Sequence, residues 1–440
     1  MTAPVPATAP VFETVVGDLA VVVGAAHLRP GAPADAVAGV QPRLVLEPGT
    51  GGELARVLRV AAGAGLAVVP RGGGTKRAWG APPRAADLVL STRRLDAVVE
   101  HAAGDLTVTV QAGCTIARLQ QAVAAAGQRL ALDPLRPEGA TVGGVVAAND
   151  GGSLRGAFGS LRDQLIGIQV ALPDGRLARA GGKVVKNVAG YDLPKLYCGS
   201  LGTLGVVVEA TFRLYPLPRE TRTLRFAPAD VRIAAAQLLA IQASALRPTG
   251  VQLALGSAAA PELAVRLESA SPGALAAQQA QLLALAAPLR QTAGAAPAPD
   301  PWLARERLLA GAEPAAPAPA APPAAVCKLT FLPARLVSLV DGIAAAAAAA
   351  DWHLVAQGAG IGWLRLEATS PGALLAAILR VRAGAALLGG SLVVAEAPAA
   401  LAPELDVWGD PGDALHLMRA LKQRFDPGGV LNPGRFVGGI

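Results

Sequence analysis

The sequence predicts an α+β chain built of two bodies, on three observations. Strand and helix signals alternate over roughly the first two hundred residues. The texture then changes near Pro218, where glycine clusters give way to evenly spaced strand and helix runs. A length of 440 residues, at about 150 residues per domain, fits two or three domains. The hydrophobic fraction of 52% excludes global disorder, and a chain this long buries a large core without disulfides or structural metals.

The N-terminal body is expected over residues 1–218, with its core at about 36–218. Arg43–Leu46 reads as a strand. Gly51–Ala62 reads as a helix, because Leu54, Val57 and Leu58 share one face. Leu66–Pro70 is a short apolar strand that runs directly into glycines. Asp87–Leu90 and Leu106–Val110 are further strands. Thr115–Ala126 is a helix with Ile116, Leu119 and Val123 on one face. Leu165–Leu172 is a strand closed by the Pro173-Asp174-Gly175 turn. Gly205–Leu214 is the longest β-type run, with Val206, Val208, Ala210, Phe212 and Leu214 assigned to one side.

The second body is expected over residues 219–410. Strands are read at Arg222–Phe226, Val251–Leu255, Leu263–Leu267, Val326–Phe331 and Trp363–Glu367. Helices are read at Val231–Ala245, Leu275–Ala287 and Arg335–Ala350. Ala310–Ala325 is almost wholly Ala and Pro and reads as a flexible exposed insertion. A tail over 411–440 contains a helix, Leu415–Phe425, stopped by Asp426-Pro427-Gly428. No internal repeat of fixed period is found.

Composition excludes several functions. The 39 basic residues against 32 acidic ones give a net charge of +7, yet no run of five basics occurs and aromatics are only 3%. That pattern argues against nucleic acid and for anionic ligands or an acidic partner. Cys114, Cys198 and Cys327 are far apart, which excludes an iron–sulfur or zinc site built within this chain. His27, His101, His353 and His416 are equally scattered, so no metal site is expected. No stretch of eighteen strongly apolar residues reads as a membrane span, and the N-terminus does not read as a signal peptide. The expected compartment is the cytoplasm.

Three segments carry chemistry. Arg71-Gly72-Gly73-Gly74-Thr75-Lys76 follows a strand, and consecutive glycines let backbone N–H groups close on a diphosphate. Thr75 offers a hydroxyl and Lys76 a point charge. Gly73 is expected to need a positive φ, with any side chain there standing between amides and phosphate. A glycine-rich turn is the plainer alternative. The second segment is Ala140–Gly144, then Asn149–Gly152, then Gly156–Asp163. Its small residues suit a backbone lying against a large planar ligand, with a long irregular loop as the alternative. The third is Lys186–Asp192 with Gly199-Ser200-Leu201-Gly202-Thr203-Leu204-Gly205-Val206. Val206–Val208 could offer backbone groups to an adenine edge.

Together these segments resemble the flavoproteins typified by vanillyl-alcohol oxidase and p-cresol methylhydroxylase, over residues 36–218. Phe425–Arg435, with its Asn432-Pro433-Gly434-Arg435, is also similar. The third segment resembles the glycolate oxidase and D-lactate dehydrogenase branch. The lack of a His cluster resembles the FAD-binding subunit of bacterial glycolate oxidases. The resemblance implies a two-subdomain FAD-binding domain, a ferredoxin-like cap of antiparallel sheet and helices, and a tail returning to the first domain. It implies that Arg71, Gly72, Gly73, Gly74 and Thr75 hold the FAD diphosphate. Thr141, Gly143, Gly144 and Asn149 would line the isoalloxazine and ribityl region. Ser160 and Asp163 would approach the cofactor again, and Val206 would meet adenine. No His lies in these motifs, so the FAD is expected to be dissociable, and Cys114 is read as a packed thiol.

The implied reaction is oxidation of glycolate to glyoxylate, with a homologous flavin subunit and an iron–sulfur subunit as partners. The inner face of the cell membrane is where such a complex would bring the chain. The alternatives are a self-sufficient D-lactate or other 2-hydroxy-acid dehydrogenase, and a non-catalytic assembly subunit with a structural flavin. No catalytic residue is assigned; His353 and Arg365 fall in the second body without a spacing that recommends them.

Overall fold

Three short apolar runs of the N-terminal body, Leu44–Leu46, Val68–Arg71 and Leu88–Ser91, pair in parallel. Strands of this kind are buried on both faces, which is why they read as continuous Val and Leu rather than as an alternation. The computed structural model describes residues 9–184, 190–287, 290–291, 299–310, 322–348 and 350–440. Two compact units result. One holds the residues up to 151 with 160–217 and 410–440, and the other holds 152–159 and 218–409.

The first unit begins with α1 (Ala9–Val23), β1 (Leu28–Pro30), β2 (Leu44–Leu46), α2 (Gly51–Gly63), β3 (Val68–Arg71) and β4 (Leu88–Ser91). The four strands form one sheet in the order β1-β2-β4-β3. Thr50 caps α2 by accepting the Glu53 N–H at 3.1 Å. The helix then buries Leu54, Val57, Leu58 and Ala61, spaced along one face, against this sheet.

β5 (Val98–Ala102), β6 (Thr107–Gln111), α3 (Ile116–Ala124), β7 (Gln128–Arg129), α4 (Val142–Ala148), α5 (Arg155–Phe158), α6 (Leu161–Gln164), β8 (Leu165–Ala171), β9 (Leu177–Gly181), α7 (Leu193–Tyr197), β10 (Val206–Arg213) and β11 (Tyr215–Pro216) follow in the chain, and of these α5 belongs to the second unit. A second, antiparallel sheet takes the order β5-β6-β10-β8-β9. β10 corrects the single-faced reading of 205–214. A bulge between Val207 and Glu209 shifts its register against β8. Val206 and Val208 therefore enter the core of the parallel sheet, whereas Val207, Ala210, Phe212 and Leu214 enter that of the antiparallel one. An extra residue in a strand exchanges its two faces.

The second unit is built from β12 (Glu220–Ala227), α8 (Val231–Ala243), β13 (Gly250–Gly256), β14 (Glu262–Ser269), α9 (Pro272–Leu285), β15 (Arg290–Gln291), α10 (Ala304–Ala310), β16 (Ala324–Thr330), α11 (Leu336–Ala346), β17 (Ala350–Gln357), β18 (Ile361–Ala368), α12 (Pro371–Leu387) and β19 (Ser391–Glu396). Its eight strands run β15-β12-β14-β13-β17-β18-β16-β19. Two βαββαβ units of ferredoxin-like strand order thus lie side by side, joined through β13 and β17. The second helix of each opens with the same residues, Ser-Pro-Gly-Ala-Leu, at Ser271–Leu275 and Ser370–Leu374. In both, the serine caps the helix, accepting the Ala274 and Ala373 N–H. α8, α9, α11 and α12 cover one continuous apolar cluster with the strands.

Two expectations in this unit are corrected. Ala324 and Ala325 are not part of an exposed insertion. They begin β16, pair with Glu367 and Leu366, and Ala325 is buried. The intervening residues 311–321 lie outside the described residues. The helix expected to reach Ala350 ends at Ala346, and β17 starts at Ala350, where Trp352, Leu354 and Ala356 alternate into the core.

The chain re-enters the first unit with α13 (Leu415–Phe425). Beyond it, Leu431 lies parallel to Val68 of β3. The Val68 N–H donates to the Val430 carbonyl at 2.8 Å, and the Asn432 N–H donates to the Val68 carbonyl at 2.9 Å.

Candidate cofactor cleft

β3 ends at Arg71 and the chain enters the glycine loop at the carboxyl edge of parallel strands, where open α/β sheets place their ligands. Gly74 has a φ of +78°, a conformation that favours glycine. Gly72 and Gly73 are glycine for a different reason. A Cβ at Gly72 would lie 1.9 Å from Thr141 Oγ1, and one at Gly73 would lie 1.6 Å from the Gly139 carbonyl oxygen. This corrects the expectation for Gly73. Its φ is not positive, and its missing side chain makes room for the 139–141 backbone, not for phosphate.

Thr141 is the backbone N-cap of α4, but its hydroxyl makes no capping bond. The second glycine-rich segment is therefore partly helical rather than the long irregular loop that was the alternative, and its Thr141, Gly143 and Gly144 border the cleft. Gly143 lets α4 approach β6, since a Cβ there would meet the Ala112 Cβ at 2.8 Å.

These elements form an open cleft, about 610 Å³ counting its solvent-open mouth, lined by Arg71, Gly72, Gly73, Gly74, Thr75 and Thr141, with Gly144, Leu201, Asn432 and Arg435. A second lobe of about 380 Å³ shares Arg71, Gly72, Gly144 and Leu201 and adds Gly143 and Val206. Nine of the expected residues are thus brought to one place. Asn149 is not among the lining residues: it ends α4 in a left-handed conformation, φ 47°. Ser160 and Asp163 also stand apart. The Ser160 N–H and hydroxyl donate to Asp163 Oδ2 at 2.8 and 2.7 Å, which caps α6. Asp163 lines a different pocket with Tyr191, Asp192 and Lys195. Residues 186–189 of the third segment lie outside the described residues.

The charge on the cleft is basic. Arg71, Lys76, Arg77 and Arg435 line it, and among the described residues no Asp, Glu or His does. Neighbours orient these cations. Arg71 Nη1 donates to Asp35 at 2.8 Å, and the other guanidinium donors remain for a ligand. Asp35 also takes two hydrogen bonds from Arg29, at 2.6 and 2.8 Å, and the Ala32 N–H at 3.0 Å. Lys76 Nζ lies 3.1 Å from Asp150 Oδ2, which is fully buried, so its charge is directed there rather than left as a free point charge. Arg435 donates to the carbonyls of Arg77 at 2.9 Å and Trp79 at 2.5 Å, and burial pushes its pKa down to about 10.

The Arg29 guanidinium, followed by the Ala32 N–H and Arg71, holds the Asp35 carboxyl well below the usual carboxylate range. The unfolded chain takes up this proton near an ordinary carboxylate pKa of about 4, while the folded chain stays ionised. Stability from Asp35 is therefore present above about pH 4 and lost as pH falls below it. Wild type is expected to lose stability between about pH 5 and 3 more steeply than Asp35→Asn. Urea melts at each pH check this, and parallel pH profiles for the two chains would refute it.

Sequence reasoning missed Asp35, Asn432 and Arg435 as parts of this site. Asp35 reaches Arg71 across 36 positions, which no local pattern signals. Asn432 and Arg435 were visible in the Asn-Pro-Gly-Arg stretch but carried no assigned role. Cys114 is fully buried in the apolar core, in keeping with a packed thiol, and burial raises its pKa.

Two buried polar atoms in the cleft lack partners: Thr141 Oγ1 and Asn432 Oδ1. Buried polar groups in native proteins are satisfied, so both fit a polar ligand. A nucleotide cofactor of diphosphate, sugar and ring suits this lining of cations, glycine backbone and unpaired oxygens.

Comparison with known proteins agrees. Residues 42–181 match the family described as "FAD binding domain", and residues 410–436 match "FAD linked oxidases, C-terminal domain". Glycolate oxidase subunit GlcD of Bacillus subtilis is 39% identical over 184 residues, 42% of this chain and 39% of that one. D-lactate dehydrogenase of Archaeoglobus fulgidus is 36% identical over 181 residues, 41% of this chain and 40% of that one. Glycolate oxidase subunit GlcE of Escherichia coli is 36% identical over 159 residues, 36% of this chain and 45% of that one. The matches therefore span about two-fifths of these relatives' length. In fold, p-cresol methylhydroxylase with substrate bound superposes with a TM-score of 0.72 at 14% identity, covering 99% of this chain and 98% of that one. Residues 42–181 accordingly match an FAD-binding domain, residues 410–436 match the C-terminal domain of FAD-linked oxidases, and the chain has the fold seen in p-cresol methylhydroxylase.

Proposed function

We propose that the chain is the FAD-binding subunit of a glycolate oxidase complex, acting on a 2-hydroxy acid and holding its FAD non-covalently. What carries this reading is the cleft: basic, glycine-lined, and without an Asp, Glu or His among its lining residues. Its similarity to the GlcD and GlcE subunits supports the choice of complex.

In this reading Arg71 and the backbone of Gly72–Thr75 hold the diphosphate. Thr141 and Gly144 line the same cleft and would border the rest of the cofactor. Bound FAD would supply the acceptor for the hydride that leaves the α-carbon of glycolate. The hydroxyl proton needs a base. The described lining residues include no carboxylate or imidazole, and in this reading the base comes from elsewhere in the chain or from a partner subunit.

One observation favours the second reading, a self-sufficient 2-hydroxy-acid dehydrogenase. His353 and Arg365, unremarkable in sequence, are cross-strand partners on β17 and β18. Both line a cleft of the second unit with Arg307 and Glu367. Oxidation of a 2-hydroxy acid requires a base beside a carboxylate-binding cation, and Arg365 here already pairs with Glu367 and donates to the Leu308 carbonyl at 3.0 Å.

The test is flavin bleaching under anaerobic conditions. The isolated flavin-loaded chain is expected to stay yellow with glycolate or D-lactate, and to bleach when partner subunits are added. Bleaching of the chain alone would favour the second reading.

A further inference from the structure

We propose that Asn432 is a cofactor-binding residue: its side-chain carbonyl accepts a hydrogen bond from a hydroxyl or ring N–H of the flavin nucleotide. The assignment rests on the FAD reading above and extends it to the tail of the chain.

Asn432 is 2% exposed and lines the main lobe of the cleft. Its amide orientation is set by a neighbour. Nδ2 donates to the Leu201 carbonyl at 2.5 Å, and exchanging the amide N and O would set oxygen against oxygen. Oδ1 is consequently the atom left over, and it has no partner. A buried acceptor left unpaired is unfavourable, so a ligand that supplies a donor recovers that loss.

The missing partner must be a donor, which narrows the ligand atom. Diphosphate oxygens are acceptors and cannot serve. The sugar hydroxyls, the N–H of the isoalloxazine ring and the adenine amino group can. Thr141 Oγ1, the second unpartnered atom of the same lobe, is able both to donate and to accept.

The position is rigid. The Asn432 N–H is bonded to Val68 and its carbonyl accepts the Arg435 N–H at 3.1 Å. Asn432 and Leu201 both hold left-handed backbones, φ 46° and 50°. Such conformations are disfavoured for most residues and cluster where a site is pre-organised.

The test compares FAD affinity, by flavin fluorescence titration, in wild type, Asn432→Gly and Asn432→Asp. Glycine accepts the left-handed backbone and removes the amide; aspartate keeps an acceptor oxygen but sets a second oxygen against the Leu201 carbonyl. Asn432→Gly is expected to fold, by circular dichroism and melting without FAD, and to bind FAD about tenfold more weakly. Asn432→Asp is expected to melt below Asn432→Gly and to bind FAD no better than it. Wild-type affinity in either variant would overturn the proposal, as would failure of both variants to fold. Failure of wild type itself to bind FAD would instead sink the FAD reading.

Discussion

A Gly73→Val chain is expected to purify without flavin and to melt well below wild type. The Cβ would stand 1.6 Å from the Gly139 carbonyl oxygen, which is backbone and cannot rotate aside. Either the glycine loop or the 139–141 segment must move, and both line the cleft or carry Thr141. Overpacking of this kind costs about 1–3 kcal/mol and more when the obstacle is rigid. At about 2–4 °C per kcal/mol for a body of this size, a fall of roughly 2–12 °C follows. Gly74→Ala is the informative control. Its nearest neighbour would be Arg77 at 3.6 Å, so only the cost of a positive φ, about 1–2 kcal/mol, applies. The flavin-to-protein absorbance ratio and the thermal midpoint check both. A Gly73→Val protein with full flavin and a normal midpoint would remove the loop from the cofactor site.

Lys422→Met is expected to be the most destabilising single change in the tail. Lys422 is 4% exposed, and its ammonium donates to Asp426 at 2.6 Å, to the Leu431 carbonyl at 2.8 Å and to the Thr203 carbonyl at 2.9 Å. Burial pulls its pKa down, and Asp426 opposes that pull. Asp426 in turn accepts the Val430 and Leu431 N–H groups at 3.0 and 2.8 Å. Removing one member of a buried ion pair leaves the other charged and uncompensated, at about 3–5 kcal/mol. Urea unfolding of Lys422→Met, Asp426→Asn and the double variant measures this. The double variant should lose less than the sum of the single ones. A Lys422→Met loss under about 1 kcal/mol would show the pair to be incidental.

Much of the first unit was legible because its signals are local. The strand before Arg71, the helix with Leu54, Val57 and Leu58, and α13 with its Asp-Pro-Gly stop all fall within two or three residues of their expected ends. Features set by distant partners were not legible. The β10 bulge is decided by two cores that the strand must serve at once. α4 hides inside a glycine-rich stretch because Gly143 is chosen for contact with Ala112, against helix propensity. The paired ferredoxin-like units escaped a search for a fixed period, although the helix start Ser-Pro-Gly-Ala-Leu occurs in both. In the site, glycines advertised the cleft, while Asp35 and Asn432 gained their roles only when the chain brought them to Arg71 and Leu201.

The pairing of Val430–Asn432 with β3 also sets a timetable for synthesis. β3 and the glycine loop leave the ribosome early, but the strand that lies beside them follows residues 218–409. At about 5–20 residues per second, that interval lasts roughly ten to forty seconds. Throughout it, Lys422, Asp426 and Asn432 are still unmade, and the cleft lacks one wall. A nascent chain can form its parallel sheet and cover it with α2 while Asn432 and Arg435 are still missing from the cleft. A chain truncated ahead of Val430 is expected to keep the whole glycine loop and to hold flavin less tightly than the full chain, which the flavin-to-protein absorbance ratio checks.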